Sequence, residues 1–201
     1  MIRKQMLFAV VAIASTSLPA FSQQEEGLIY RNEVAVQAFG SFLKTTTNNG
    51  VEQSATDSGG VLASYRRFFT NNHGVEVNYG YSLNTQNYSL PSSSLGIPSY
   101  SHEFTAAYVF RLPLKHFTPF ALAGTGALVF DPKDTPGVGS QARAAFVYGG
   151  GADFSLSRRI YVRAEYRGLV YNSPTYDLAA LAGTGRLTHR AEPSIGFGYR
   201  F

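Results

Sequence analysis

Eight times along this chain, apolar side chains recur at every second position, a spacing that builds strands and not helices. Successive side chains of a strand point to opposite faces. In residues 33–43, Val34, Val36, Ala38, Gly40 and Phe42 share one face. Residues 59–68 set Val61, Ala63 and Tyr65 against Leu62, Ser64 and Arg66. The third segment is the clearest, with Val75, Val77, Tyr79, Tyr81 and Leu83 opposing Glu76, Asn78, Gly80 and Ser82. Phe104, Ala106, Tyr108 and Phe110 then oppose Glu103, Thr105, Ala107 and Val109. Residues 118–130 divide Phe120, Leu122, Leu128 and Phe130 from Ala121, Ala123, Thr125 and Ala127. Residues 142–154 and 160–171 continue the pattern, and 190–201 end it on Ala191, Pro193, Ile195, Phe197, Tyr199 and Phe201. Each run is about as long as the 9–11 tilted residues that cross a bilayer.

The connections alternate in length. Those over 44–58, 84–101, 131–141 and 172–189 are long and polar, while those over 69–73, 111–117 and 155–159 are short. Sorting by parity is what a membrane barrel shows, with long loops outside the cell and tight periplasmic turns. An even strand count puts both termini in the periplasm. Pairing the first segment with the last removes the open edge that lipid forbids. The expected fold is all-β, an eight-stranded antiparallel up-and-down transmembrane β-barrel over 33–201.

The N-terminus reads as a signal peptide over 1–22: Arg3 and Lys4, an apolar stretch from Met6 to Ala14, and small Ala20 and Ser22 before a cut at Gln23. A short periplasmic leader, 23–32, follows. The apolar stretch falls well short of the roughly 20 residues of a spanning helix. Taking out Arg3 and Lys4 lowers the formal net charge from +4 to +2, so nucleic acid is not an expected partner. The chain has no Cys, which excludes disulfides and Cys-based metal sites. A mean hydropathy near zero suits a barrel in which only alternate residues meet lipid.

Phe42, Tyr65, Tyr81, Phe104, Phe110, Phe120, Phe130, Phe154, Tyr171, Tyr199 and Phe201 lie towards the ends of the runs, where interfacial aromatic girdles sit. The opposite faces carry Glu33, Glu76, Glu103, Asp153, Glu165 and Glu192 with Arg66, Arg143, Arg163, Arg167, Arg190 and Arg200. Eight strands leave room only for side chains or one small ligand. Unpaired charge there is costly, so a salt-bridged plug is expected, joined by Gln37, Asn78 and Thr105. A charged ring lining an ion path is the functional alternative. Gly149-Gly150-Gly151, with Gly124 and Gly126, reads as strand bending, because a phosphate loop needs a helix that is absent here.

Catalysis would need a Ser activated by a His and an acid. Among His73, His102, His116 and His189, only His102 has such neighbours, in Ser99, Ser101 and Glu103. Adjacent strand residues point oppositely, so these groups cannot converge without a bulge. No histidine pair has metal-ligand spacing. The expectation is a non-enzyme without cofactor or metal.

Signal segment, eight strands, loop parity and terminal Phe together resemble the small outer-membrane β-barrel family, typified by the OmpA transmembrane domain and its OmpX-like and opacity-protein relatives. The resemblance covers 28–201 and is most specific at Gly74-Val75-Glu76-Val77-Asn78-Tyr79-Gly80-Tyr81 and Ile195-Gly196-Phe197-Gly198-Tyr199-Arg200-Phe201. It implies insertion by the barrel-assembly machinery, with Phe197, Tyr199 and Phe201 as the recognition signal. It also implies contact with outer-membrane lipid and lipopolysaccharide, a monomeric state, and a surface role in adhesion or envelope integrity through an extracellular ligand of the loops. The chain departs from OmpA in stopping at the barrel, so no cell-wall tethering is expected. It also lacks the His-x-Ser arrangement of the lipid A deacylases, with Phe104 and Ala191 at the corresponding positions. A narrow channel and, behind it, a lipid A-modifying enzyme are the functional rivals; a soluble exported ligand-binding barrel is the rival fold.

Overall fold

The computed structural model describes residues 30–91 and 93–201; the expected signal peptide, 1–22, and leader residues 23–29 lie outside them. The strands are β1 Asn32–Leu43, β2 Thr46–Asn48, β3 Val51–Ala55, β4 Ser58–Phe68, β5 His73–Ser89, β6 Ser94–Arg111, β7 Phe117–Pro132, β8 Gln141–Ser155, β9 Ile160–Asn172 and β10 Leu187–Arg200. Eight of them form a closed antiparallel barrel in the order β5-β4-β1-β10-β9-β8-β7-β6, with β6 returning to β5. The first and last strands make the seam, Glu33 opposite Arg200 and Leu43 opposite Arg190. No barrel strand is left with an unpaired edge, which is what permits a sheet to sit in hydrocarbon.

Both chain ends of the barrel and the short connections 69–72, 112–116 and 156–159 lie at one end, the terminal end. The other, the loop end, departs from the sequence reading in two places. Residues 44–58 are not plain loop: Asn49 and Gly50, at φ 49° and 77°, make the two-residue turn of a β2–β3 hairpin. That hairpin adds to the far part of β5, with Glu52 opposite Ser89 and Ala55 opposite Gln86. Residues 84–101 are likewise not loop, since β5 and β6 stay paired out to Ser89 opposite Ser94. Asn84, Gln86 and Tyr88 continue the inward face of β5, but two polar residues in that row hide the alternation.

The outer wall is apolar and the inside is charged. Ile195 and Phe197 are more than 60% exposed, whereas Arg163, Arg167 and Glu192 are fully buried. This inverts a water-soluble protein and suits a bilayer. Of the girdle aromatics, Phe42, Tyr65, Tyr81, Phe104, Phe110, Phe154, Tyr199 and Phe201 are exposed on the wall. Phe120, Phe130 and Tyr171 are corrections: all three are buried inside, as are Leu122 and Leu128. In β7 both faces are apolar enough that hydropathy cannot label them. The larger side chains face in because Val109, Val147 and Leu169 form an apolar patch with them on this side of the lumen.

The lipid-facing row of β7 is therefore small, with Ala123 lying between Tyr108 of β6 and Tyr148 of β8. Arg at this mid-strand position is expected to destabilise the reconstituted barrel by about 2–4 kcal/mol. Guanidinium unfolding of Ala123→Arg in vesicles checks this, and an unchanged midpoint would put Ala123 inside.

Candidate functional site

The buried side chains inside the barrel fall into three successive layers. Nearest the terminal end, Arg163 of β9 binds Asp153 of β8 with two hydrogen bonds, Nε to Oδ1 at 2.7 Å and Nη2 to Oδ2 at 3.0 Å. Its Nη2 also donates to Glu33 at 3.2 Å and to the Tyr161 hydroxyl at 3.1 Å, and its Nη1 lies 3.6 Å from Glu76. Arg66 donates to Glu76, and Arg111 and Arg200 both donate to Glu33, at 2.5 and 3.2 Å. The Phe120 ring lies under the Arg66 guanidinium, 3.9 Å from its centroid, and Phe68 lies likewise under Arg111 at 3.4 Å. Gly151 makes room for this: a Cβ there would come within 2.9 Å of the Phe120 ring.

The middle layer is a square of two bases and two acids. Arg167 reaches Glu103 at 2.8 Å and Glu192 at 2.6 Å, while Arg190 reaches the same pair at 3.0 and 2.6 Å. Asn78 and Thr105 link the two layers, Asn78 donating to Glu76 at 2.8 Å and to Thr105 at 3.2 Å, and Thr105 to Glu103 at 3.4 Å. Gln37 donates to Glu165 at 3.0 Å, and Glu165 lies 3.8 Å from Arg66. Each carboxylate thus faces at least one guanidinium, the arrangement that makes buried charge tolerable.

The third layer is an apolar cap at the loop end. Val51, Tyr88, Ile97, Leu128, Phe130, Tyr171, Tyr176 and Leu181 are all buried there. Tyr176 and Asp177 sit in the left-handed region, at φ 49° and 52°. Two backbone donors, Thr175 N and Tyr176 N, bond Gln141 Oε1 at 2.8 and 2.9 Å and hold that conformation. The Tyr176 hydroxyl meets Ser99 Oγ at 2.7 Å; burial pushes its pKa up to about 12, so it stays protonated through the physiological range. The hairpin tip is tied on, with Asn49 donating to Gly183 O and Gln53 to Thr184 O, each at 3.0 Å.

Of the residues read as the interior network, Arg143 stands apart. It is half-buried on the inner face of β8 and donates to Thr175 in the cap at 3.1 Å. Its place among the six interior bases is taken by Arg111, a residue that the sequence pattern assigns to the 111–117 connection. Arg111 is the last residue of β6 and keeps the inward parity of Glu103, a signal present in the sequence. Phe197, Tyr199 and Phe201 are exposed on the outer wall of β10 and just beyond it.

The Ser–His–Glu constellation is not assembled. Ser101 and Glu103 are buried and both bind Arg190, at 3.0 Å each. His102 lies on the outer wall, its Nδ1 2.9 Å from the Tyr79 hydroxyl. His73 and His189 make similar outer-wall pairs with Tyr108 and Tyr148. Among the described residues, no three His, Asp or Glu side chains gather in a metal-binding group.

A family model described as the outer membrane protein beta-barrel domain matches residues 8–201. Among solved structures, the outer membrane protein OprG from Pseudomonas aeruginosa is similar at 13% identity and TM-score 0.63, over 89% of this chain and 99% of that one. Neisserial surface protein A is similar at 14% identity and TM-score 0.59, over 84% and 97%. At these identities the likeness is one of fold. Among curated proteins, no sequence matches.

Proposed function

This chain belongs to the outer membrane protein beta-barrel domain family, and from that premise we propose that it is a sealed barrel whose work is done at its loop end. The layered filling of the lumen carries this reading: the Arg163 network, the Arg167–Arg190 square and the Tyr176–Leu181 cap lie in series. The loop end faces the outside of the cell and both termini face the periplasm, after export on the 1–22 segment and delivery by the assembly machinery through Phe197, Tyr199 and Phe201. Long connections gather at one end only, and such loops are where binding is carried on a rigid scaffold. The role is surface contact or envelope integrity, without catalysis, in a monomeric protein bathed in lipid and lipopolysaccharide.

In planar bilayers the purified protein is expected to give no single-channel steps. Steps of stable amplitude would replace this reading with a narrow channel. In the same preparation, exchanging 173–186 and the β2–β3 hairpin for short turns is expected to keep the heat-modifiable gel band while removing attachment of expressing cells to a coated surface. Lipid A mass spectra that change with expression would restore the enzyme.

A further inference from the structure

The exposed charges of this barrel divide by end. At the terminal end stand Arg31, Arg67, Lys115, Arg158 and Arg159, with no exposed Asp or Glu side chain among the described residues there. At the loop end Glu52, Asp57, Asp131, Asp134 and Asp177 are exposed, beside Lys44 and Arg186. The terminal-end connections also expose Phe69, Leu112, Leu114 and Leu156. Cations mixed with large apolar side chains, continuous with an apolar wall, mark the depth of lipid headgroups, where basic residues meet phosphate.

Four of these cations fall on neighbouring strands at the seam. Arg158 and Arg159 precede β9, β10 ends beside them, Arg31 precedes β1, and Arg67 lies near the end of β4. Two are fixed by wall groups. Arg67 Nη1 donates to Asn32 Oδ1 at 2.8 Å, and the same oxygen accepts from the Tyr65 hydroxyl at 2.9 Å. Arg159 Nη1 donates to the Tyr199 hydroxyl at 2.9 Å, with the guanidinium 6.0 Å from the Tyr30 ring centroid. Each guanidinium has five N–H donors, and these wall groups take only one or two of them. On the seam itself Asn32 N donates to Phe201 O at 3.2 Å. Among the described residues, four exposed arginines with no exposed Asp or Glu beside them leave the arc positive. From β9 to β4 is three inter-strand spacings, about 14 Å, enough for the headgroups of neighbouring lipids.

We propose that this seam arc, with Arg67 and Arg159 as its two fixed guanidiniums, is a binding site for the phosphodiester headgroups of anionic glycerophospholipids. The two arginines are held at headgroup depth by Asn32 and Tyr199 and present their remaining donors outward, so lipid phosphate is recognised without the protein having to order either side chain. The site lies where the first and last strands meet, so an occupying lipid binds both sides of the closure. The choice of a glycerophospholipid over lipopolysaccharide rests on the periplasmic orientation proposed above; the phosphate chemistry of the arc does not.

Native mass spectrometry of the full-length folded protein in detergent, supplied with phosphatidylglycerol, phosphatidylcholine or lipopolysaccharide, tests the site without using orientation in a membrane. Phosphatidylglycerol is expected to be retained over phosphatidylcholine, with retention falling about fivefold for each arginine removed in Arg67→Gln and Arg159→Gln. Lys115→Gln, on a connection away from the seam, is expected to retain lipid as the parent does. Heat-modifiable gel mobility confirms that each variant is folded. Equal retention of the two phospholipids by the parent overturns the proposal, as does retention unchanged in the Arg67→Gln, Arg159→Gln double variant. Preferred retention of lipopolysaccharide overturns the choice of lipid. Retention that appears only in Glu25→Gln, Glu26→Gln would mean the leader's carboxylates occupy the arc, and overturns it too.

Discussion

Arg163→Ala is expected to cost the folded barrel about 3–5 kcal/mol, the range for breaking a buried ion pair from one side. The guanidinium has no exposure and serves Asp153, Glu33 and the Tyr161 hydroxyl by hydrogen bonds, with Glu76 also within ion-pair distance. Without it Asp153 keeps only Arg66 and Arg200, both at 3.9 Å. A carboxylate so placed stays desolvated and weakly compensated. Arg200→Ala is the matched comparison. It too serves Glu33 and Asp153, but its side chain is 11% exposed at the terminal end, so water can take its place. Its loss is expected to cost about 1 kcal/mol. Guanidinium unfolding of both variants in vesicles measures the difference. Equal costs would mean that water already reaches the Arg163 layer, and the sealed-lumen reading would weaken with it.

Strand number, closure by β1 and β10, and the charged inner faces were legible in the sequence for one reason. Wherever a strand separates an apolar row from a charged one, as in Glu76, Asn78 and Gly80 against Val75, Val77 and Tyr79, period two fixes both the element and its facing. Legibility fails where that contrast fails. In β7 both rows are apolar, and size misled: Phe120 and Phe130 read as girdle residues although they fill the lumen. Past Leu83, Asn84 and Gln86 enter the inward row of β5 while Thr85 and Asn87 enter the outward one, so the contrast is lost and the continued β5–β6 ladder is hidden. The β2–β3 hairpin did leave a signal, since Asn49-Gly50 is the dipeptide a two-residue hairpin turn prefers. Of the cap only the apolar run from Leu178 to Leu181 left a signal, since such a run in a surface connection is best packed onto its own rim, where Leu181 is buried. The cap as a whole depends on Tyr88, Ile97, Tyr176 and Leu181 meeting from separate connections, and nothing local in any of them specifies that contact.

Phe120→Ala is expected to be as costly as the loss of Arg163, about 3–5 kcal/mol, through lost burial and the cavity left behind. The ring is the floor on which Arg66 lies, with Arg163 a further contact at 5.2 Å, and each cation held over an aromatic face contributes about 0.5–2 kcal/mol. Gly151 beside it has no side chain to swing into the space. Phe104→Ala is the control, for that ring is half-exposed on the outer wall and lipid can replace what is removed. Its cost is expected to be no more than about 1 kcal/mol. Were Phe120 a girdle residue, the two substitutions would cost the same, and unfolding midpoints measured side by side separate the cases. The outcome reaches beyond one ring. If Phe120 is inside, the guanidiniums of the lowest layer rest on a packed aromatic and stay where the carboxylates need them. If it is outside, that layer has a water-sized gap beneath Arg66, and the barrel has the beginnings of a channel.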